Sequence, residues 1–263
     1  TEKSITVQRS RLKLLIAQFG HRRLREIDPD TISTFLAGLL EQGRSRATAN
    51  RYRALLSSIF TMAVRWRLCA SNPVKHVKAH QEHYRRFRFL KPAELACLLE
   101  ECRAWLRPIV LCAAHTGMRR EEILSLKWDQ INARERTIHL TKTKSGRGRV
   151  VPINDDLWEA LSALPRHLHS PYVFAKKDGT RYHPDGLKRA FSRALQRAKI
   201  DDFRFHDLRH TAASNLVMAG VDLFTVSQLL GHRTLAMTQR YAHLAPSHLS
   251  AAAQKLGVAL RTG

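Results

Sequence analysis

Apolar residues recur every three to four positions along much of the chain, and the breaks between these runs divide it into two blocks. Ile5, Leu12, Leu15, Ile16 and Phe19 share one face of a helix predicted over residues 4–19, with Arg and Lys on the other side. After the turn at Asp28-Pro29-Asp30, a second helix places Ile32, Phe35, Leu36, Leu39 and Leu40 together and stops at Gly43. A third starts after Ser45, a good N-cap, and carries Tyr52, Leu55, Leu56, Ile59, Phe60, Ala63 and Val64 to about Arg67. Asn72-Pro73 closes this small helical bundle. Residues 75–88 have weak periodicity and many cations, which reads as a basic interdomain connector.

The second block opens near Leu90-Lys91-Pro92, with Leu95, Leu98 and Leu99 following, and a further helix from about Pro108 ends at Gly117. The pattern then changes period. Residues 136–141 and 148–153 are β-branched stretches flanking a polar tip, Lys142 to Arg147, which predicts a β-hairpin. Helices are predicted at 155–164 and 184–198, with a short strand at Tyr172-Val173-Phe174 and a turn at Asp178-Gly179 between them. From near His206 a helix runs to Met218; Asp222 caps the next, whose Leu223, Val226, Leu229 and Leu230 lead to Gly231. A short helical segment from Thr234 delivers Tyr241, and an Ala-rich helix is expected at 246–256. The fold class is therefore mainly α with a small antiparallel β-sheet. Its expected parts are a helical domain at 1–79, a basic linker at 80–89 and an α+β domain at 90–263.

Charge adds a partner to this picture. The 263 residues carry 45 Lys and Arg against 22 Asp and Glu, a formal net charge of +23. Such an excess repels itself unless it meets a polyanion, and nucleic acid leads the candidates ahead of acidic lipid. Residues 1–80 hold 15 basic and 5 acidic residues, so both blocks share the excess. Arg44, Arg46, Arg51 and Arg53 cluster at the start of the third helix, where amides also favour phosphate, and are candidate DNA contacts. A solvated helix face is the alternative. Lys142, Lys144, Arg147 and Arg149 make a DNA-facing hairpin in the same way. No run of about 18 apolar residues and no secretory signal is found, so the expected location is cytoplasmic, with the nucleoid. The chain opens on Thr1 rather than Met.

The densest chemistry lies at 206–241. His206 and Arg209 are three apart and His210 is one turn from His206, so the three share a helix side. Arginine holds two phosphate oxygens at once, and Arg119, projecting past Gly117 with Glu122 three residues on, supplies a second guanidinium. Together they could stabilise a pentacovalent phosphorane. Tyr241 needs such a cationic surrounding and a proton acceptor to act as a nucleophile, since a free phenol has a pKa of about 10. A metal site on His206 and His210 competes with this reading, although the glutamate of His-Glu-x-x-His is absent. Cys69, Cys97, Cys102 and Cys112 have no Cys-x-x-Cys spacing and read as buried thiols rather than zinc ligands.

The ordered set Thr116-Gly117-Met118-Arg119, Glu122, hairpin lysine, His206-x-x-Arg209-His210, Leu230-Gly231-His232 and Tyr241 resembles the tyrosine recombinase, or phage integrase, family. The resemblance implies a helical core-binding domain and a catalytic domain of the tyrosine recombinase type. It also implies site-specific cleavage and rejoining of DNA through a 3′-phosphotyrosyl intermediate and a Holliday junction. By motif, Arg119 and Arg209 would clamp the phosphate, Glu122 would support Arg119, and His206 and His232 would hydrogen-bond the phosphate. His206 would also accept the proton of Tyr241, with His210 in support. Lys144, eight residues before Pro152, best matches the leaving-group acid, with Lys142 as the fallback. No metal and no cofactor are implied. The implied partners are double-stranded DNA with specific attachment sites, three further copies of the chain, and room for an accessory DNA-bending or directionality protein. The helix after Tyr241, carrying Leu249, Leu256 and Val258, resembles a tail that docks on a neighbouring protomer, with packing on its own protomer as the alternative. Many members carry a further N-terminal domain for arm-type sites, and none is visible here. A type IB topoisomerase-like relaxation enzyme and a catalytically silent DNA-binding regulator are the rival readings.

Overall fold

The structure, a computed structural model, describes residues 2–82, 88–141 and 148–245, with the side chains of 2–5 and 7 excepted. The chain divides into two compact units, Thr1–Arg85 and Arg86–Gly263.

The first unit is built on helices α1 (Glu2–Phe19), α2 (Pro29–Glu41) and α3 (Arg46–Arg65). Asp28 and Ser45 cap α2 and α3 by accepting the backbone N–H of Thr31 and Thr48, which satisfies one of the amides that a helix start leaves unpaired. The predicted apolar faces meet in a core of Leu15, Phe19, Ile32, Phe35, Leu36, Leu39, Leu56 and Phe60. Phe35 sits edge-on to both Phe19 and Tyr52, with ring centroids 5.2 and 5.9 Å away, a geometry that sets the positive ring edge against the negative face.

The stretch after the bundle has more structure than its weak periodicity suggests. A 3-10 turn at Pro73–His76 inserts Val74 into the core, and Val77 follows it. Arg53 donates to the carbonyls of Val77 (2.7 Å) and Val74 (3.4 Å), and Asn50 grips the backbone of His80 through both its amide atoms. Much of the stretch read as connector is thus tied to α3 by two polar side chains. Sequence periodicity, which reports apolar faces, does not register such ties.

The second unit comprises α4 (Pro92–Glu100), α5 (Arg107–Thr116), α6 (Arg120–Leu124), α7 (Asp155–Ser162), α8 (Pro184–Arg197), α9 (Asp207–Met218), α10 (Leu223–Leu230) and α11 (Ala236–Gln239). Its sheet is β1 (Ile131–Asn132), β2 (Thr137–Leu140) and β3 (Arg149–Pro152), antiparallel in that order. The predicted hairpin is present, in a register that pairs Ile138 with Val151 and Leu140 with Arg149. β1 adds a strand that its two-residue length hid from the pattern. The strand predicted at 172–174 is replaced by isolated bridges, Lys127 to Tyr172 and Ala175 to Arg181, while Val173 and Phe174 enter the core as loop residues. Apolar runs this short do not separate a strand from a buried loop.

Helix α5 is the axis of this unit. Pro108, Ile109, Val110, Cys112, Ala113, Ala114 and Thr116 are all buried along it, packed against α4, α7 and α9. The expectation of buried thiols holds at Cys112 and fails at Cys97, which is exposed; Leu98 is the residue α4 buries. No helix among the described residues is long and apolar enough to cross a membrane. The tail expected at 246–256 and the hairpin tip at 142–147 lie outside the described residues.

Asn72 provides a direct check of the first unit. Its Oδ1 accepts the N–H of the fully buried Val74 at 3.0 Å, and its Nδ2 donates to the Ser57 carbonyl at 3.0 Å. Replacing it by Ala strands a buried donor, so Asn72→Ala should lower stability by about 1–3 kcal/mol in urea denaturation of the full chain. A loss within experimental error would show that Val74 finds another acceptor.

Candidate active site

The site is assembled where two helices end. Both α5 and α10 terminate on a glycine in the left-handed region, Gly117 at φ +60° and Gly231 at φ +66°. A Cβ at Gly117 would come within 2.4 Å of the Leu230 side chain, and one at Gly231 within 2.9 Å of Arg149 Cδ, so space as well as conformation selects glycine at both. A helix terminus leaves its last carbonyls without intrahelical donors and carries partial negative charge. Here guanidinium groups supply the donors. Arg149 Nε donates to the Leu229 carbonyl (3.1 Å), Arg209 Nη2 to Leu230 (2.6 Å) and Arg119 Nη2 to Gly231 (3.3 Å). Arg209 Nη1 also reaches the Gly117 carbonyl at 2.7 Å, so one buried side chain spans the ends of α5 and α10.

Glu122 binds two of these cations. Its carboxylate accepts Arg119 Nη1 at 2.8 Å and Arg149 Nη2 at 2.7 Å, and it takes the Arg119 backbone N–H at 2.9 Å. Burial raises the pKa of this carboxyl, but the bonds from Arg149 and from the backbone and side chain of Arg119 outweigh it and hold the group at about 2. Arg209 shows the opposite balance. Burial first, then the charges of Arg119 and Arg149, lower its pKa to about 10, which leaves it cationic at neutral pH.

The histidines are neutral in this environment. Burial, followed by Arg240 and His206, lowers His210 to about 4; burial, followed by Arg209 and Arg119, lowers His232 to about 4. His206 is lowered by burial and by Arg209. His232 Nδ1 lies 2.7 Å from the hydroxyl of Thr238, a fully buried residue of α11. Tyr241 is 1% exposed and packs with Ala213, Val217, Val226 and Leu230. Its hydroxyl lies 2.5 Å from His210 Nδ1. Burial raises the phenol pKa despite Arg240 and Arg209, so the hydroxyl keeps its proton and donates to the imidazole tautomer whose Nδ1 carries no hydrogen.

The structure thus brings Arg119, Glu122, Arg209, His210, His232 and Tyr241 around one helix end. His206, at the start of α9, faces His210 with ring centroids 5.7 Å apart, and it lines a cleft of about 810 Å³ with Arg119, Glu122 and Arg204. The neighbour of Tyr241 is His210 where His206 was expected. One helical turn along α9 carries His210 to the apolar cluster that holds the phenol, while His206 stays at the helix start. Arg149 departs from its expected DNA-facing place: its side chain is 9% exposed and committed to Glu122 and Leu229. Strand alternation from the buried Val151 carries the signal for this, since it puts Arg149 on the inner face. Thr238 had no such signal.

Lys142, Lys144 and Arg147 lie outside the described residues. In the first unit Arg44, Arg46 and Arg51 are exposed, Arg46 also donating to the Gln81 carbonyl at 3.3 Å, whereas Arg53 is half-buried on its two carbonyls. Among the described residues no three His, Cys, Asp or Glu side chains converge as a metal centre.

Glu122 yields a pH-dependent prediction. Folding lowers its pKa from about 4.3 in an unfolded chain to about 2. Its contribution, about 3 kcal/mol, is therefore complete above pH ~5 and is lost as pH falls toward 2. Glu122→Gln should be destabilised against the parent by that order at pH 7, and the gap should shrink by more than half at pH 3 in urea denaturation. A gap independent of pH would contradict the assignment.

The sequence model of the phage integrase family matches residues 88–248, and that of the phage integrase central domain matches residues 1–80. The chain is 35% identical over 225 residues to the integrase of Salmonella phage P22, covering 80% of this chain and 57% of that protein. It is 35% identical over 234 residues to the shufflon-specific DNA recombinase of Escherichia coli, covering 87% and 57%. The chain thus spans under two thirds of the length of these relatives. Among solved structures it is similar to lambda integrase on a COC′ core site, with TM-score 0.76 and 23% identity over 90% of each chain. It is also similar to the Tn1549 transposon integrase with circular intermediate DNA, with TM-score 0.78 and 18% identity over 97% and 93%. These two likenesses concern the fold, and the match over residues 88–248 takes in every described residue of the arginine and histidine site: the chain belongs to the phage integrase family of tyrosine recombinases.

Proposed function

We propose that the chain is a site-specific DNA recombinase that cuts and rejoins strands through Tyr241, integrating or excising a mobile element. The observation that carries this reading is the pair Arg119 and Arg209, held on consecutive carbonyls of α10 beside a tyrosine hydrogen-bonded to a neutral histidine. The two guanidiniums grip the non-bridging oxygens of the scissile phosphate and stabilise the charge that builds on them. Glu122 fixes Arg119, and His206 and His232 donate to the same oxygens.

Tyr241 Oη forms a bond to phosphorus while the bond to the 5′-oxygen breaks. The product is a 3′-phosphotyrosyl link and a 5′-hydroxyl. The phenol proton passes to an imidazole, for which His210 is already in contact and His206 lies next to it. Lys144, with Lys142 as the fallback, protonates the leaving oxygen. One phosphoester replaces another, so a 5′-hydroxyl from a partner strand reverses the step without ATP or metal. Because Tyr241 is sealed in an apolar cluster, it reaches a phosphate only when the segment from His232 to Leu244 shifts.

In the same reading the first unit contacts duplex DNA through Arg44, Arg46 and Arg51, while Arg53 serves mainly to hold the chain. Four protomers act on two attachment sites through a Holliday junction, as the solved tetramer of lambda integrase on such a junction suggests by its fold. An accessory DNA-bending or directionality protein sets the direction, and the enzyme works in the cytoplasm, on the nucleoid.

The test uses nicked suicide duplexes carrying the attachment site found next to the encoding gene, incubated in chelator. The parent should form a covalent protein–DNA adduct, Tyr241→Phe none, and Arg209→Ala an adduct slowed by about 10²–10³. Absence of any adduct, or an adduct that requires a divalent metal, would overturn the proposal.

A further inference from the structure

Helix α8 carries two kinds of chemistry on opposite sides. Leu187, Lys188, Phe191, Ser192 and Leu195 line the cleft that Arg119 and His206 share. Gly186, Arg189, Ala190, Arg193 and Arg197 line a separate cavity of about 340 Å³, closed on its other side by Arg103 and Trp105. At about 100° per residue, the centres of these two sets lie roughly 180° apart around the helix. The arginine side of α8 therefore points away from the cleft.

That side is unusual in its charge balance. Arg189, Arg193 and Arg197 are spaced four residues apart, so they rise along α8 in steps of about 6 Å. Like charges at this spacing repel each other, and Arg103 adds a fourth. Glu101 compensates Arg197, through a 2.9 Å ion pair and a bond from the guanidinium to its carbonyl. The guanidiniums of Arg103, Arg189 and Arg193 have no hydrogen-bond or ion-pair partner among the described residues. The cavity floor is also rigid, because Trp105 is stacked on Tyr182 with centroids 4.3 Å apart and planes at 12°. Three guanidinium forks without partners among the described residues, around a fixed aromatic wall, form a receptor for an anion with several oxygens.

We infer that this face of α8 is a second DNA surface, which holds the phosphodiester backbone of a duplex other than the one at Tyr241. The net charge of +23 favours a polyanion over a single carboxylate ligand, and arginine forks match phosphate geometry. The inference rests on the proposed recombinase function and extends it, because a protomer with two opposed DNA faces can bridge two duplexes.

A bridging assay tests it with the full chain. One random-sequence duplex is fixed to beads, protein is added, and capture of a second, labelled duplex is measured. The parent should capture the second duplex, and raising the salt should abolish capture. R189E/R193E should keep its binding to the beads within about twofold and lose at least tenfold of the bridging. Equal bridging by parent and variant, no bridging by the parent, or preferential binding of a polyglutamate peptide at these arginines would overturn the inference. The last outcome would assign the face to an acidic protein. Adduct formation on the nicked duplex is scored separately with R189E/R193E, so a failure of the recombinase reading is distinguishable from a failure of the second surface.

Discussion

The carboxyl end of α10 is the constraint on which the site depends. Three successive carbonyls, those of Leu229, Leu230 and Gly231, each receive a guanidinium from a different part of the chain: β3, α9 and the turn after α5. None of these contacts is local in sequence, so the arginines reach their places only when the whole unit has folded. Crowding three cations, with Arg209 buried and Arg149 and Arg119 partly so, is costly, and the helix end with Glu122 offsets part of that cost. One carboxylate against three guanidiniums still leaves the group net positive. Burial first, and then the charges of Arg119 and Arg149, lower the pKa of Arg209, and a bound phosphate would favour its charged form. The site is accordingly preorganised for an anion.

The same helix end bears on Tyr241, the proposed nucleophile. Leu230 packs on Tyr241, and His232, two residues on, is held by Thr238 of the segment that leads to Tyr241. In the proposed mechanism the phenol is thus stored beside the phosphate clamp, protonated and in contact with a neutral imidazole. Desolvation maintains both states, raising the phenol and lowering His210. Movement into the cleft would expose the phenol to the field of the arginines, which favours the phenolate. In that mechanism burial stores the phenol and the arginine charges activate it.

Much of this was legible in the sequence because it depended on short spacings. The apolar periods located the helices of both units, and the β-branched runs located β2 and β3. Gly117 and Gly231 marked the two helix ends, and the motif order drew Arg119, Glu122, His206, Arg209, His210, His232 and Tyr241 together. What stayed hidden depended on partners distant in the chain. Arg149 looked like one more basic hairpin residue, since only the fold brings Glu122 and the Leu229 carbonyl to it. Arg53 looked like a DNA contact for the same reason, its carbonyl partners lying 21 and 24 residues away. The choice between His206 and His210 as the neighbour of Tyr241 rested on one helical turn, which the spacing did not decide.

Arg149 allows the central claim to be tested, because it belongs to the arginine brace and its side chain, 9% exposed, is committed to Glu122 and the Leu229 carbonyl. Arg149→Met keeps the length of the side chain and removes its charge and its bonds to Glu122 and Leu229. The decisive measurement compares DNA affinity with the single-turnover cleavage rate of the bound complex. If the brace preorganises the phosphate clamp, the variant binds attachment-site DNA within about twofold of the parent and cleaves it at least tenfold more slowly. Unchanged cleavage, or a loss of affinity with the rate of the bound complex intact, would contradict the account.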